Sequence, residues 1–175
     1  MKLALLSLLL AGQGFTMVGR PAPEVVVERP SEEQPGPHLS DFKGKVIALL
    51  FFQTTCGSCH RTGFPLFQAI EKKLGADPDL VTVYIQSPFE MLALNVAAAG
   101  AATVKLFGVK GIFLQDRKLP GSIVPATFSR YRADGTPWVV FVDRAGVVQF
   151  AGYPELERGM IARVEKLLSQ RETSK

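Results

Sequence analysis

Both cysteines of this 175-residue chain lie in one short stretch, Cys56-Gly57-Ser58-Cys59, and His60 follows directly. Two cysteines separated by two residues can form a redox-active dithiol, and the same pair followed by a histidine is also the attachment signature for c-type haem. Such a short loop stabilises a fold little through chain entropy. The pair is therefore predicted to be catalytic rather than structural.

A buried strand and an amphipathic helix are predicted to position these cysteines. The continuous apolar run "KVIALLFF", residues 45–52, is typical of a strand buried on both faces of a sheet. Apolar residues then recur at helical spacing until Gly75, namely Phe64, Phe67, Ile70 and Leu74. Unpaired backbone N–H groups at the start of that helix would lower the pKa of Cys56 and make it the nucleophile, with Cys59 within reach.

The rest of the pattern predicts an α/β domain. Residues 80–85 form a second strand and complete a parallel strand-helix-strand unit. The alanine-rich residues 90–107 are predicted to be a mostly buried helix. Further predicted elements are a strand in "EVVVE" at 24–28, a short strand at 111–115, a short helix at 126–132, a hairpin at 138–150 with its turn at 143–146, and a C-terminal helix with the apolar stripe Leu156, Met160, Ile161, Val164, Leu167 and Leu168.

Composition and charge indicate one globular domain, residues 17–170, followed by a polar tail, 171–175. The chain is 47% hydrophobic and carries a net charge of +4, but its basic residues are scattered among acidic ones. Scattered positive charge argues against nucleic-acid binding.

The N-terminal residues 1–16 have the pattern of a signal peptide. One lysine precedes a short apolar run and then small residues. The run is too short to cross a bilayer, so membrane contact is expected only through targeting. A periplasmic or otherwise extracytoplasmic location follows. If translation starts at Met17, the alternative is a cytoplasmic protein.

The chain resembles the thioredoxin-like superfamily, and within it the TlpA and ResA group of extracytoplasmic thiol-disulfide oxidoreductases, the redoxin group. The resemblance extends over residues 18–168 and includes "VGRPAPE", "LSDFKGKVIALLFF", the cysteine pair and "YRADGTPWVVFVDRAGVV". It implies a thioredoxin-like fold with a central mixed sheet flanked by helices, an N-terminal extension and an inserted helix and loop. It also implies a thiol-disulfide oxidoreductase with no cofactor and no metal.

Site roles follow from the resemblance where residues match. Cys56 takes the nucleophile role and Cys59 the resolving role. Pro137 takes the place of the cis-proline that faces the dithiol, and the backbone of Thr136 would pair with an extended substrate segment. Two alternatives are that Pro137 is an ordinary trans proline opening a strand, and that Pro125 is the cis-proline instead.

The chain also departs from that pattern. Thr55 stands where the family usually has Trp, Leu50 where many members have a polar residue, and Thr62 where the group often has Glu. The helix proline is displaced to Pro65. No general base for Cys59 can therefore be named.

His60 has two interpretations. When protonated, it could stabilise reduced Cys56 and make the disulfide more oxidising. Alternatively, it is a solvent-facing residue of the first helical turn.

Three other functions use the same residues. A c-type haem electron carrier would bind haem through Cys56, Cys59 and His60, with a sixth ligand from Met91, Met160 or His38. A peroxiredoxin would need Thr or Ser three residues before Cys56, where the chain has Gln53. A copper or zinc carrier lacks a fourth ligand for a closed zinc site. The favoured function is disulfide exchange with protein or small-thiol substrates, and it requires a separate redox partner protein.

Overall fold

The computed structural model describes residues 16–28 and 37–170. The predicted signal peptide, apart from its last residue, and the polar tail lie outside these residues. The described part contains a five-stranded mixed sheet in the order β3-β2-β1-β4-β5. The strands are β1 Val46–Phe52, β2 Leu80–Gln86, β3 Ile112–Gln115, β4 Trp138–Val142 and β5 Val148–Gly152.

The central strand β1 organises the molecule. It pairs in parallel with β2, which pairs in parallel with β3, and it pairs antiparallel with β4, which continues antiparallel to β5. All seven β1 residues are buried. Because side chains alternate along a strand, Leu50 and Phe52 enter one core cluster, whereas Leu49 and Phe51 enter the other.

Helices cover one face of the sheet, and the N-terminal segment covers much of the other. The helices are α1 Phe64–Leu74, α2 Ala97–Leu106, α3 Ala126–Arg130 and α4 Glu157–Ser169. Buried residues of α1, α2 and α4 share the first core cluster, and α3 contributes Phe128 to the second. None of the helices in the described residues is long and apolar enough to span a membrane.

The prediction for residues 90–107 is wrong in extent and in burial. A 3-10 turn, Leu92–Leu94, comes first, and α2 begins only at Ala97. The buried residues of α2 are Gly100, Thr103 and Val104. Only one narrow face of α2 therefore packs inward. On that face Gly100, which has no side chain, lies directly against the Gln86 side chain.

Two smaller predictions are also wrong. Residues 24–28 do not form a strand, since only Val27 makes an isolated bridge, to Asp116. Val25 and Val27 are nevertheless buried in the second core cluster, so the apolar pattern reports burial rather than pairing. Leu156 is 86% exposed because it precedes the first turn of α4, although the inner part of the predicted stripe is buried.

The remaining elements confirm the sequence pattern. The structure contains the parallel unit β1-α1-β2, the short strand β3 and the short helix α3. The hairpin β4-β5 has Gly146 in its turn with φ of 79°, a conformation that glycine adopts without strain. The predicted α/β fold with a mixed sheet and flanking helices is therefore confirmed.

Candidate active site

The two cysteines lie where the carboxyl end of β1 passes into a helix. Helical structure begins at residue 57, and Cys56 and Cys59 form a disulfide across the first turn, with their Cα atoms 5.3 Å apart. Cys59 has no exposed surface, whereas Cys56 is partly exposed. An incoming sulfur can therefore reach Cys56 and not Cys59.

The helix that carries the cysteines starts with a π-helical segment, Cys59–Gly63, that leads directly into α1. The Phe64 N–H donates to the carbonyl of Cys59, five residues back. Pro65 follows and has no N–H to give to the preceding turn, so the wider turn suits the displaced proline.

Backbone groups surround the Cys56 sulfur. The N–H of Cys59 donates to Sγ of Cys56 at 3.1 Å, and Sγ lies 3.3 Å from the carbonyl oxygen of Thr136. In the disulfide the second contact is van der Waals, whereas a reduced Cys56 can donate its thiol hydrogen to this oxygen. The N–H contact at a helix N-terminus favours a thiolate at Cys56.

The loop that faces the dithiol contains a cis peptide bond between Thr136 and Pro137, as the resemblance implies. Pro125 is the residue that precedes α3 and has an extended backbone, and its peptide bond is not among the cis bonds of the described residues. Pro137 therefore has the cis geometry, and Pro125 does not.

Gly63 packs directly beneath Pro137. A Cβ atom at Gly63 would lie 2.9 Å from Cβ of Pro137 and 3.2 Å from Cδ1 of Leu50. The contact explains why glycine occupies the inside of this helix. Gly63 is not among the predicted site residues, although a glycine amid the apolar helical pattern is a signal that was available.

The environment of Cys59 is apolar. Cys59, Leu50, Phe52 and Phe64 belong to the same buried cluster. Leu50, at the position where related proteins often have a polar residue, is fully buried there. Burial among hydrocarbon groups disfavours a thiolate at Cys59, in contrast to Cys56.

His60 does not simply face solvent. Its ring centroid lies 5.3 Å from that of Phe107 and 6.3 Å from that of Phe64. Its Nε2 atom is buried and has no hydrogen-bond partner. The interpretation of His60 as a solvent-facing residue of the first helical turn is therefore wrong in part: the residue is half-buried, and its ring packs against Phe107 and Phe64.

Two buried side-chain amides join the loop at residues 53–56, which we call the redox loop, to the segment that follows β2. Oε1 of Gln53 accepts the N–H groups of Phe89 and Glu90, at 3.2 and 3.1 Å. Oδ1 of Asn95 accepts the Thr54 N–H at 2.7 Å, and its Nδ2 donates to Oγ1 of Thr55 at 3.1 Å. Gln53 is therefore committed to the backbone rather than available to a peroxide. Asn95 is not among the predicted site residues, and its one signal in the sequence is that it is a single polar residue within an apolar run.

A second polar cluster lies at the same edge of the sheet. The Asp116 carboxylate accepts the N–H groups of Thr127 and Phe128, both at 2.8 Å, and the hydroxyl of Ser87 at 2.9 Å. Asp116 has no exposed surface. Burial raises the pKa of its carboxyl group, and the hydrogen bonds from Thr127 and Phe128 offset part of the rise. This cluster ties β3 to α3.

A groove of about 760 Å³ next to α1 contains neither cysteine. Its carboxylate, Glu71, accepts the hydroxyls of Thr82 and Tyr84, each at 2.7 Å, and the N–H groups of Lys110 and Gly111. The carboxylate is thus fully used in joining α1 to the sheet. Within the described residues, no three His, Cys, Asp or Glu side chains are arranged to bind a metal ion.

Comparison with solved structures identifies proteins that share this fold. A crystal structure of a thioredoxin-like superfamily protein matches with a TM-score of 0.73 and 25% identity, covering 86% of this chain and 97% of the other. A thiol-disulfide isomerase from Corynebacterium glutamicum matches with a TM-score of 0.71 and 27% identity, with the same coverage. The fold and these two matches place this chain in the thioredoxin-like superfamily.

Other matches show the fold alone. A secreted Mycobacterium tuberculosis disulfide oxidoreductase, described as homologous to Escherichia coli DsbE, is 19% identical with a TM-score of 0.60, over 83% of this chain and 96% of the other. No family model matches the sequence, and no curated protein matches it. Within the thioredoxin-like fold of this protein, the cysteine pair occupies the junction of β1 and the following helix, and the cis-proline loop faces it.

Proposed function

We propose that this protein is an extracytoplasmic thiol-disulfide oxidoreductase of the TlpA and ResA type, the redoxin group, with Cys56 as nucleophile and Cys59 as resolving cysteine. One observation carries the proposal: the partly exposed Cys56 sulfur receives an N–H at a helix start and faces the cis-proline loop, whereas Cys59 is buried behind it. The named neighbours support the oxidoreductase class.

In the reducing direction, the Cys56 thiolate attacks one sulfur of a substrate disulfide. A bond forms between Cys56 and the substrate sulfur, and the other substrate sulfur leaves as a thiolate that takes up a proton. Cys59 then loses its proton and attacks Sγ of Cys56, which releases the second substrate thiolate. Two electrons pass to the substrate, and Cys56 and Cys59 are left as the disulfide. The oxidising direction is the reverse of these steps.

Three further residues contribute in this proposal. Thr136 and Pro137 form the substrate-binding loop, since the carbonyl of Thr136 already lies beside the reacting sulfur. His60 modulates the potential of the pair from its position against Phe107. A separate redox partner must restore the dithiol or the disulfide after each cycle, and the substrates are protein or small-thiol disulfides.

The alternatives are less well supported. In the haem carrier, His60 would ligate iron, but its Nε2 atom is directed into the protein interior, and the mixed sheet differs from the mostly helical small c-type cytochromes. In a peroxiredoxin, Gln53 would have to act on peroxide, but its carbonyl oxygen accepts two backbone N–H groups.

Trapping of a mixed disulfide tests the proposed function. A Cys59→Ala variant incubated with native, disulfide-bonded insulin should accumulate a covalent adduct that dithiothreitol releases. Cys56 attacks the insulin disulfide in this variant, but no second cysteine resolves the mixed disulfide. A matched Cys56→Ala variant should form none, since Cys59 is buried. Adducts of equal yield in the two variants, or none in either, would contradict the proposal.

A further inference from the structure

Four large apolar residues are exposed within the six positions 91–96, in the segment between β2 and α2. Met91, Leu92, Leu94 and Val96 are 65%, 49%, 57% and 49% exposed. We call these four residues the apolar wall. Glu90 is the one charged residue in the stretch 87–96, so the surface they form is almost purely apolar. Clustered exposed apolar side chains mark a surface that binds another molecule.

The apolar wall lies next to the redox loop and is held there. Nδ2 of Asn95 donates both to Oγ1 of Thr55, at 3.1 Å, and to the carbonyl of Met91, at 3.4 Å. One amide group therefore connects the residue before Cys56 to the first residue of the wall. The N–H groups of Phe89 and Glu90 are bound by Gln53, as described above.

Hydrogen bonds to the backbone hold the apolar wall with its side chains on the surface. Asn95 is buried, and its Nδ2 also donates to the carbonyl of Glu90 at 3.0 Å. Met91 has a left-handed backbone, with φ of 42° and ψ of 51°, that a non-glycine residue adopts only where its surroundings hold it. The segment is thus a rigid surface, with apolar side chains presented outward on a buried polar base.

We propose that the apolar wall binds the polypeptide that presents its cysteine to Cys56, and selects segments with apolar side chains beside that cysteine. The inference rests on the proposed function. Thr55, which Asn95 joins to the wall, is exposed and directly precedes Cys56, so an occupant of the wall lies beside the reacting cysteine. The polypeptide substrate is the occupant we favour, because its cysteine must come to this position in each catalytic cycle.

Exchange rates with matched peptides test this inference. Two disulfide-linked peptides of equal length are used, with the cysteine flanked by Leu and Phe in one and by Ser and Gly in the other, and oxidised glutathione serves as a small disulfide. The wild type should favour the apolar peptide about tenfold in kcat/KM. In the triple variant Met91→Ser, Leu92→Ser, Leu94→Ser, this ratio should fall to about one, while the rate with glutathione stays unchanged.

Matched variants control for a general loss of surface hydrophobicity. Leu106→Ser and Leu156→Ser change leucines that are 79% and 86% exposed and lie outside the wall, so they should keep the tenfold ratio. The single variant Met91→Ser should lower the ratio partly, and it preserves the test if the triple variant unfolds.

The outcomes separate the two hypotheses. An unchanged peptide ratio in the triple and single variants overturns the apolar wall as a binding surface and leaves the proposed function intact. A dimeric wild type in sedimentation, made monomeric by the triple variant with its peptide ratio unchanged, assigns the wall to self-association and also overturns it. Absence of exchange with all three disulfides in the wild type overturns the proposed function and this inference with it.

Discussion

Cys56 and Asp116 lie at the same edge of the sheet, after the carboxyl ends of β1 and β3, and both precede helical structure. Each receives backbone N–H groups from a helix start: one reaches the Cys56 sulfur, and two reach the Asp116 carboxylate. Exposure is what differs, since Asp116 has no exposed surface and Cys56 has some.

This difference separates a structural group from a reactive one. The donors around Asp116 are complete, with a hydroxyl from Ser87 added, and no path leads to the carboxylate. The Cys56 sulfur has one N–H donor, a carbonyl on its other side and access to solvent. The same helix-start electrostatics therefore stabilise the fold at Asp116 and prepare a nucleophile at Cys56. Substitutions at the two positions should have separable effects.

The largest expected effect on stability is that of Asp116→Asn. The amide nitrogen would face an N–H or hydroxyl donor in place of an acceptor oxygen, which leaves a buried group unpaired. We expect the free energy of unfolding to fall by about 3 kcal/mol. The reduction potential of the Cys56–Cys59 pair should not change. Urea denaturation and glutathione equilibration measure the two quantities, and a shifted potential would contradict the separation.

The pH dependence of this variant gives an independent check. The pKa of Asp116 is raised from 3.8 by burial, so the folded state holds the proton more tightly than the unfolded state. Its contribution to the free energy of unfolding is complete below pH 3.8 and is lost as the pH rises through the native pKa. The stability advantage of the wild type over Asp116→Asn should therefore shrink between pH 3 and neutral pH.

The position of the Cys56–Cys59 pair was predictable from the sequence, whereas the residues that hold the surrounding loops in place were not. A continuous apolar run before Cys56 and a helical pattern after it predicted the position of the cysteine pair, whereas the facing loop at Thr136-Pro137 was predicted from the family resemblance. The residues 90–107 were misjudged because alanines and leucines on an exposed surface give the same hydropathy as a buried helix. Asn95 and Gly63 act through contacts with distant parts of the chain, which hydrophobic periodicity does not report.

Gly63→Ala is expected to have the next largest effect. The added methyl group would lie within 2.9 Å of the Pro137 side chain, so the cis-proline loop must move away from the dithiol. We expect a stability loss of about 1–3 kcal/mol together with slower exchange with oxidised insulin. The matched control is Gly159→Ala in α4, where no atom lies within 4 Å of the new methyl group. This control should be neutral or stabilising by up to about 1 kcal/mol and should exchange at the wild-type rate.

The smallest expected effect concerns His60. It tests whether a side chain, as well as backbone groups, sets the reduction potential of the Cys56–Cys59 pair. His60→Phe keeps an aromatic ring against Phe107 and removes the buried, unpartnered Nε2. If His60 stabilises the reduced form, the equilibrium constant with glutathione should shift toward the disulfide, by less than tenfold, or about 30 mV. His60→Ala should shift it equally and also lower the free energy of unfolding, because it removes the packing contact. A wild-type equilibrium constant in His60→Phe would show that His60 contributes packing alone, and that backbone groups at the helix start set the potential.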